Sequence, residues 1–274
     1  MNKSEIERLA ETCTQIRRDI VETLGTIGSG HPGPSLSLVE ILTTLYFHEL
    51  RLNPADPNWV GRDIMVLSKG HGALCLYCVL ARRGFFPVEE LKTFECLGSR
   101  LQGHPDCLLT PGVELSTGSL GQGLSFAVGV AIGAKKRGYR TRVFCILGDG
   151  ETEEGNVWEA AMCASKFKLD NLVAIVDWNG LQGGVTLQVM PSLEPYGAKW
   201  EAFGWQVIDL NGHDLVALLA AYKKALETRD RPTLIIARTV KGKGVSFMEN
   251  EPEWHGKKLE GPELAQARRE VGLD

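Results

Sequence analysis

The chain reads as a doubly wound α/β fold, a mainly parallel sheet with helices on both faces. The first observation is a pair of short apolar runs, residues 143–147 (VFCIL) and 172–176 (LVAIV), on either side of a helical stretch over 154–167. Strand, crossover helix and strand make a unit whose two strands run parallel. The second is that the alternation repeats through 206–210, a helix over 214–227 and a strand over 233–238 (TLIIAR). The third is that the clearest of these runs lack polar alternation, as strands covered on both faces do.

The remaining elements follow in order. Ile6, Leu9, Cys13, Ile16, Ile20 and Leu24 recur at steps of three and four, so 3–24 reads as an amphipathic helix ending at Gly25. The loop IGSGHPGPS is too rich in Gly and Pro to be regular. A second helix is expected over 36–48, a two-proline loop over 53–58, and a short apolar run over 64–67 before SKGHG. A helix over about 72–83 ends at Gly84, and 98–120 reads as loop. Small residues then fill GSLGQGLSFAVGVAIGAKKRG, which suits a helix packed closely on its neighbours. Lys135, Lys136 and Arg137 occupy its last turn, where the helix dipole favours positive charge. The chain is read as a single domain over 1–274, with an irregular polar extension from about 245.

Bulk properties exclude several classes. Of 274 residues 43% are hydrophobic and 23% charged, which is ordinary for a globular protein. A net charge of −4 gives no basic face for nucleic acid. No apolar run approaches the roughly 20 residues that span a bilayer, and the amphipathic N-terminus lacks a signal peptide's apolar core. These features predict a cytoplasmic protein. The seven cysteines are odd in number and mostly lie in apolar runs, so no disulfide framework is expected. Cys75 and Cys78 form one C-x-x-C without a second pair to complete a zinc site, and read as small apolar residues of a buried helix.

In such sheets ligands bind beyond the carboxyl ends of the strands. The run 143–147 leads into Gly148-Asp149-Gly150, and 172–176 into Asp177-Trp178-Asn179-Gly180. On neighbouring strands, Asp149 and Asn179 face one crevice with oxygen donors suited to a hard divalent cation. The glycines beside Asp149 let phosphate approach the backbone. A dinucleotide site is the rival reading, but GDGETEEG does not place the further glycine that fingerprint needs. Glu151, Glu153 and Glu154 would also repel bare pyrophosphate, whereas a bound cation reverses the local field. The bland alternative is a set of acids serving a helix dipole.

The stretch GDGETEEGN…LVAIVDWNG resembles the thiamine diphosphate motif, with Asn179 standing 30 residues after Asp149. That resemblance implies a thiamine diphosphate-binding fold. It implies a Mg²⁺ ion, or Ca²⁺ or Mn²⁺, held by the side chains of Asp149 and Asn179 and the carbonyl of Leu181. Four of the six histidines sit in Gly-rich loops: His31 in SGHPG, His71 in SKGHG, His104 in QGHPD and His255 in EWHGKK. Imidazole can donate or accept a proton near neutral pH, and such loops leave it open to a ligand. The order SGHPG, SKGHG, GHPD…PGVELSTGSLGQG, GDG, DWNG and a late HG resembles the N-terminal half of transketolase, over almost the whole chain.

The resemblance implies transfer of a two-carbon ketol group from a ketose phosphate to an aldose phosphate. By it, His71 and His255 contact the diphosphate and, with His31, line the reacting carbon. His31 and His255 serve as acid–base groups, and His104 binds a hydroxyl of the sugar donor. Gly118, Leu120, Gly150 and Asn179 join the cofactor contacts. Glu154 and Glu159 match acids of the subunit interface, so self-association across the sheet ends is expected. His48 and His213 match no role and read as structural. The family's activating glutamate lies in a second domain, so this chain is expected to need a separate pyrimidine-binding subunit, as a heterotetramer. There are departures. Gly183 and Gly184 stand where a bulkier residue and an acid are usual, Ser119 where proline is common, and the charged EPEWHGKK surrounds His255. A related two-component thiamine enzyme acting on another sugar phosphate or a 2-oxo acid, a non-catalytic cofactor binder and a dinucleotide dehydrogenase remain alternatives.

Overall fold

Strands Ile64–Leu67, Val143–Gly148, Leu172–Trp178 and Thr233–Arg238 form at short apolar runs. The computed structural model describes residues 3–183, 185–186 and 193–274. Within them the strands are β1 Ile64–Leu67, β2 Val143–Gly148, β3 Leu172–Trp178, the two-residue β4 Leu181–Gln182 and β5 Val185–Thr186, then β6 Gln206–Asn211 and β7 Thr233–Arg238. The main sheet has the order β1-β2-β3-β7-β6, and every pairing in it is parallel. β4 and β5 pair antiparallel as a separate ribbon.

Side chains alternate across this sheet with the period of two that a strand imposes. Cys145, Ala174 and Ile236 face one core, while Ile146, Ile175 and Ile235 face the other. The helices are α1 Lys3–Ile27, α2 Pro32–Ser37, α3 Val39–Thr44, α4 Ala73–Arg83, α5 Gln122–Lys136, α6 Gly155–Lys166, α7 Tyr196–Ala202, α8 Leu215–Glu227 and α9 Gly261–Glu270. Apolar residues of α5, α6 and α7 close the first core, and those of α1, α3, α4 and α8 the second. The crossover β2–α6–β3 therefore lies on one face and β6–α8–β7 on the other. The winding reverses between β3 and β7, and the crevice at their carboxyl ends is where such sheets bind ligands.

Three expectations are corrected. Gly25 does not end α1, which runs to Ile27. A Cβ on Gly25 would lie 2.5 Å from Leu264 Cδ1, so the glycine admits α9. The helix expected over 36–48 begins at Pro32, changes at Leu38 and finishes as a π turn over Leu45–Glu49. Proline at the first helical position has no amide to leave unbonded, which suits that start. The extension from about 245 is not irregular throughout, since α9 packs on α1. No helix among the described residues is long and apolar enough to cross a membrane.

The amino ends of β1 and β2 are held by a carboxylate. Asp63, its side chain fully buried, accepts from Arg51 at 2.7 Å and from the Arg142 backbone at 2.9 Å and guanidinium at 2.5 Å. Burial works against its charge, but the two arginines outweigh burial and hold its pKa below the ordinary 3.8. Asp63→Asn is expected to cost about 2 kcal/mol at pH 7, as charge-assisted hydrogen bonds are lost. A depressed carboxyl pKa stabilises the fold above the unfolded value, and that stability goes as pH falls through the folded one. Denaturant midpoints of wild type and variant should therefore converge below pH 4, and a constant gap would refute this role.

Candidate active site

The carboxyl end of β3 carries a buried acid. Asp177 is wholly inaccessible, and its Oδ2 lies 2.5 Å from Lys69 Nζ, itself 1% exposed. Ser37 donates to the same oxygen at 2.6 Å, and Thr239 donates to Oδ1. Burial raises the cost of this charge, yet the Lys69 ammonium, then the hydroxyls of Ser37 and Thr239, hold Asp177 below the usual carboxylate range. Four segments meet at this one carboxylate: α2, the SKGHG loop, β3 and the end of β7.

Beside it stands Asp149, at the end of β2. Its Oδ1 accepts from Gly150 N at 2.8 Å, and its Oδ2 from the amides of Asn179 at 2.8 Å and Gly180 at 2.6 Å. Burial, then the neighbouring Asp177 charge, raises its pKa to about 6. Glu151 is not a surface acid serving a helix end. It is 2% exposed and accepts from Ser68 Oγ at 2.5 Å, Gly121 N at 2.9 Å and Gly148 N at 3.0 Å. It therefore binds three loops together. Carboxylates of the chain occupy the amides of Gly148 and Gly150, which argues against a dinucleotide held on that turn. Two glycines let the loops close up. A Cβ on Gly70 would sit 2.8 Å from the Gly118 nitrogen, and one on Gly123 would sit 2.4 Å from Ser68 Oγ.

A cavity of about 280 Å³ opens between these loops. Lys69, His71, Leu120, Asp149, Gly150, Asn179, Leu181, Lys241 and His255 line it, together with Glu151 and Gln182. Four imidazoles converge here from separate loops. His31 lies 5.9 Å from His71, 5.7 Å from His104 and 5.5 Å from His255 between ring centroids, and His71 lies 5.2 Å from His255. Burial, then the charge of Lys69, lowers the pKa of His71, while burial and then His104 lower that of His31. Burial, with Lys241 next, brings His255 down to about 4. Lys241 Nζ lies 3.0 Å from His255 Nδ1 and donates to the Gly183 carbonyl at 3.1 Å. Burial, then the charge of Lys69, lowers its pKa to about 8. At neutral pH the cavity thus presents uncharged imidazoles and the Lys241 ammonium, to which no carboxylate among the described residues is bonded.

All four loop histidines are brought together, and the candidate metal donors Asp149, Asn179 and Leu181 share the same cavity wall. A Cβ on Gly118 would lie 3.1 Å from the His104 ring, so Gly118 also faces this region. Glu154 and Glu159 are exposed and lie outside the cavity. His48 pairs with Glu5 at 2.8 Å and His213 with Glu40 at 2.8 Å. Gly183 lies on the cavity wall, whereas Gly184 is outside the described residues. Sequence reasoning misses Lys69 and Lys241 as site residues, and reads Glu151 only as one acid of a loop whose charge a bound cation would offset. Lys241 follows the strand over 233–238 in TVKGKG, so a polar residue before glycine at a strand's carboxyl end was a signal. Among the described residues no three His, Cys, Asp or Glu side chains form a metal cluster. The expected donor set holds only one such residue, its other oxygens being amide and carbonyl.

The fold and cavity together define an α/β protein with a polar ligand site at the carboxyl ends of a parallel sheet. Residues 7–274 match the family described as "Transketolase, thiamine diphosphate binding domain", and the chain belongs to that family. It is 44% identical over 273 residues to an apulose-4-phosphate transketolase subunit of Actinobacillus succinogenes, covering 99% of this chain and 97% of that one. It is 42% identical over 260 residues to a 6-deoxy-6-sulfo-D-fructose transketolase subunit of a Clostridium species, covering 94% of each. Among solved structures, the transketolase of Campylobacter jejuni superposes with a TM-score of 0.89 at 36% identity, over all of this chain and 44% of that one. The chain thus spans under half the length of the solved transketolases it matches.

Removing the Lys241 charge should raise the His255 pKa above about 4, because an ammonium 3.0 Å away opposes imidazolium formation. Burial remains in Lys241→Met, so the value should stay below the ordinary 6.5. Imidazole proton shifts followed by NMR against pH would show this, and an unmoved titration would contradict it.

Proposed function

We propose that this chain is the diphosphate-binding subunit of a two-component transketolase, moving a two-carbon ketol group between sugar phosphates with thiamine diphosphate and a divalent cation. The carrying observation is that His71 and His255 line the cavity with Asp149 and Asn179, with His31 packed against both rings and His104 against His31. A binder of the cofactor alone needs no such cluster of imidazoles. Two relatives whose length this chain almost fully covers are named as transketolase subunits, which supports a separate partner carrying the pyrimidine-binding domain. On this reading the assembly is a heterotetramer with self-association at the sheet ends, where the exposed Glu154 and Glu159 would lie.

The residues present fit both groups. Asp149 is a buried carboxylate beside a second acid, and its raised pKa marks a negative charge that a cation would relieve. Asn179 and the Leu181 carbonyl would complete an oxygen set suited to Mg²⁺, or to Ca²⁺ or Mn²⁺. Lys241, His71 and His255 would hold the diphosphate oxygens, with Gly150, Gly118 and Leu120 against the rest of the molecule. Bound thiamine diphosphate supplies a stabilised carbanion for breaking and making the carbon–carbon bond. Around it, His31 and His255 would carry protons to and from substrate hydroxyls, since their lowered pKa leaves the neutral form ready to accept. His104 would bind a donor hydroxyl. The same reading puts the enzyme in the cytoplasm, a setting that its seven unpaired cysteines support.

The test is reconstitution with the cognate pyrimidine-binding subunit and a panel of ketose and aldose phosphates. Asp149→Ala should abolish Mg²⁺-dependent binding of thiamine diphosphate in calorimetry. His104→Ala should leave that binding unchanged and raise the donor KM by about tenfold, the cost of one lost hydrogen bond of about 1.4 kcal/mol. A reconstituted complex that binds the cofactor but cleaves no ketose phosphate would defeat the proposal.

A further inference from the structure

His213 lies outside the cavity, on the turn before α8, yet its bonds lead back to it. Its Nε2 accepts the Val240 amide at 2.8 Å. An amide can only donate there, so Nε2 carries no proton. Nδ1 therefore holds it and donates to Glu40 Oε2 at 2.8 Å. The other oxygen of Glu40 takes the Arg17 guanidinium at 2.6 Å, and Arg17 Nε donates to the Lys243 carbonyl at 3.1 Å. Glu40 is 7% exposed. Burial opposes its charge, but the His213 hydrogen bond and the Arg17 charge outweigh that and keep its pKa low.

The two ends of this network grip residues 240 and 243, on either side of Lys241. Gly242 N donates to the Gly33 carbonyl at 3.1 Å, and Asn250 N to the Lys241 carbonyl at 2.9 Å, so the strip is fixed from several directions. Lys241 is the residue whose ammonium reaches over the cavity to His255 and Gly183. We propose that Glu40, His213 and Arg17 form a positioning unit that sets the Lys241 ammonium at the anion-binding end of the cavity. The unit acts through the main chain and touches no ligand. It turns a buried carboxylate on α3 into a fixed height for a cation at the end of β7. This rests on the reading of the cavity as a diphosphate site.

The experiment uses the full chain and inorganic pyrophosphate with Mg²⁺ as the probe. His213→Phe keeps a ring but has no acceptor for the Val240 amide, while His213→Gln keeps an acceptor. The expected result is pyrophosphate binding weakened about tenfold in His213→Phe and substantially restored in His213→Gln. Hydrogen exchange at the Val240 amide should rise in His213→Phe and stay protected in Lys241→Met, and this readout needs no ligand. Full binding with an unchanged Val240 amide in His213→Phe would overturn the positioning role alone. Should His213→Phe not fold, Arg17→Met tests the same unit from its other end, with weaker binding expected and wild-type binding overturning it. Lys241→Met binding pyrophosphate as wild type would overturn the diphosphate reading and this inference with it.

Discussion

The site depends on the buried ion pair between Lys69 and Asp177. Taking two charges out of water costs several kcal/mol for each, and their attraction offsets that only when further hydrogen bonds complete the pair. Ser37 and Thr239 complete it here. The pair can form only if α2, the SKGHG loop, β3 and the end of β7 arrive together. Losing either partner would strand a charge in the interior, so the segments hold one another in place. The loops bearing His31, His71 and Lys241 are thereby fixed before any ligand arrives.

The pair also shapes the field above it. With Lys69 matched by Asp177, the ionisable groups left facing the cavity besides the imidazoles are Asp149, Lys241 and Glu151, the last bonded to Ser68 and the amides of Gly121 and Gly148. Burial and nearby lysines keep His71 and His255 uncharged. Imidazoles and a fixed cation can share this small space because the rings are uncharged. A cluster of protonated imidazoles would instead repel one another and the ammonium.

Much of this was legible in the sequence for physical reasons. Strands covered on both faces must be apolar at every position, so β2, β3 and β7 announce themselves. Asp149 and Asn179 stand out because polar residues at strand ends have no structural need to follow such runs. Other features were hidden by ambiguity of residue type. Gly25 has the signature of a helix end, yet it serves the approach of Leu264. α9 buries Ala267 but is otherwise largely polar or exposed, so its sequence carries almost no periodic signal. Glu151 looks like any acid before a helix, and only the converging amides of Gly121 and Gly148 reveal its use. His213 lies far from the site in sequence and reaches it through a backbone amide, a contact no motif encodes.

The interlocked glycine loops divide the cavity into parts with different freedom to change. At Gly70 the packing is main chain against main chain, a Cβ there meeting the Gly118 nitrogen at 2.8 Å, with no room for a single methyl group. Drift in side chains hardly alters such a wall, and a change in its shape would require several loops to move at once. His104 projects from the longer loop over 98–120, where one replacement alters one contact. Relatives of nearly equal length are named for different sugars, 6-deoxy-6-sulfo-D-fructose and apulose 4-phosphate. An architecture of this kind leaves the side chains of the longer loop freer to change than the backbone packing at Gly70.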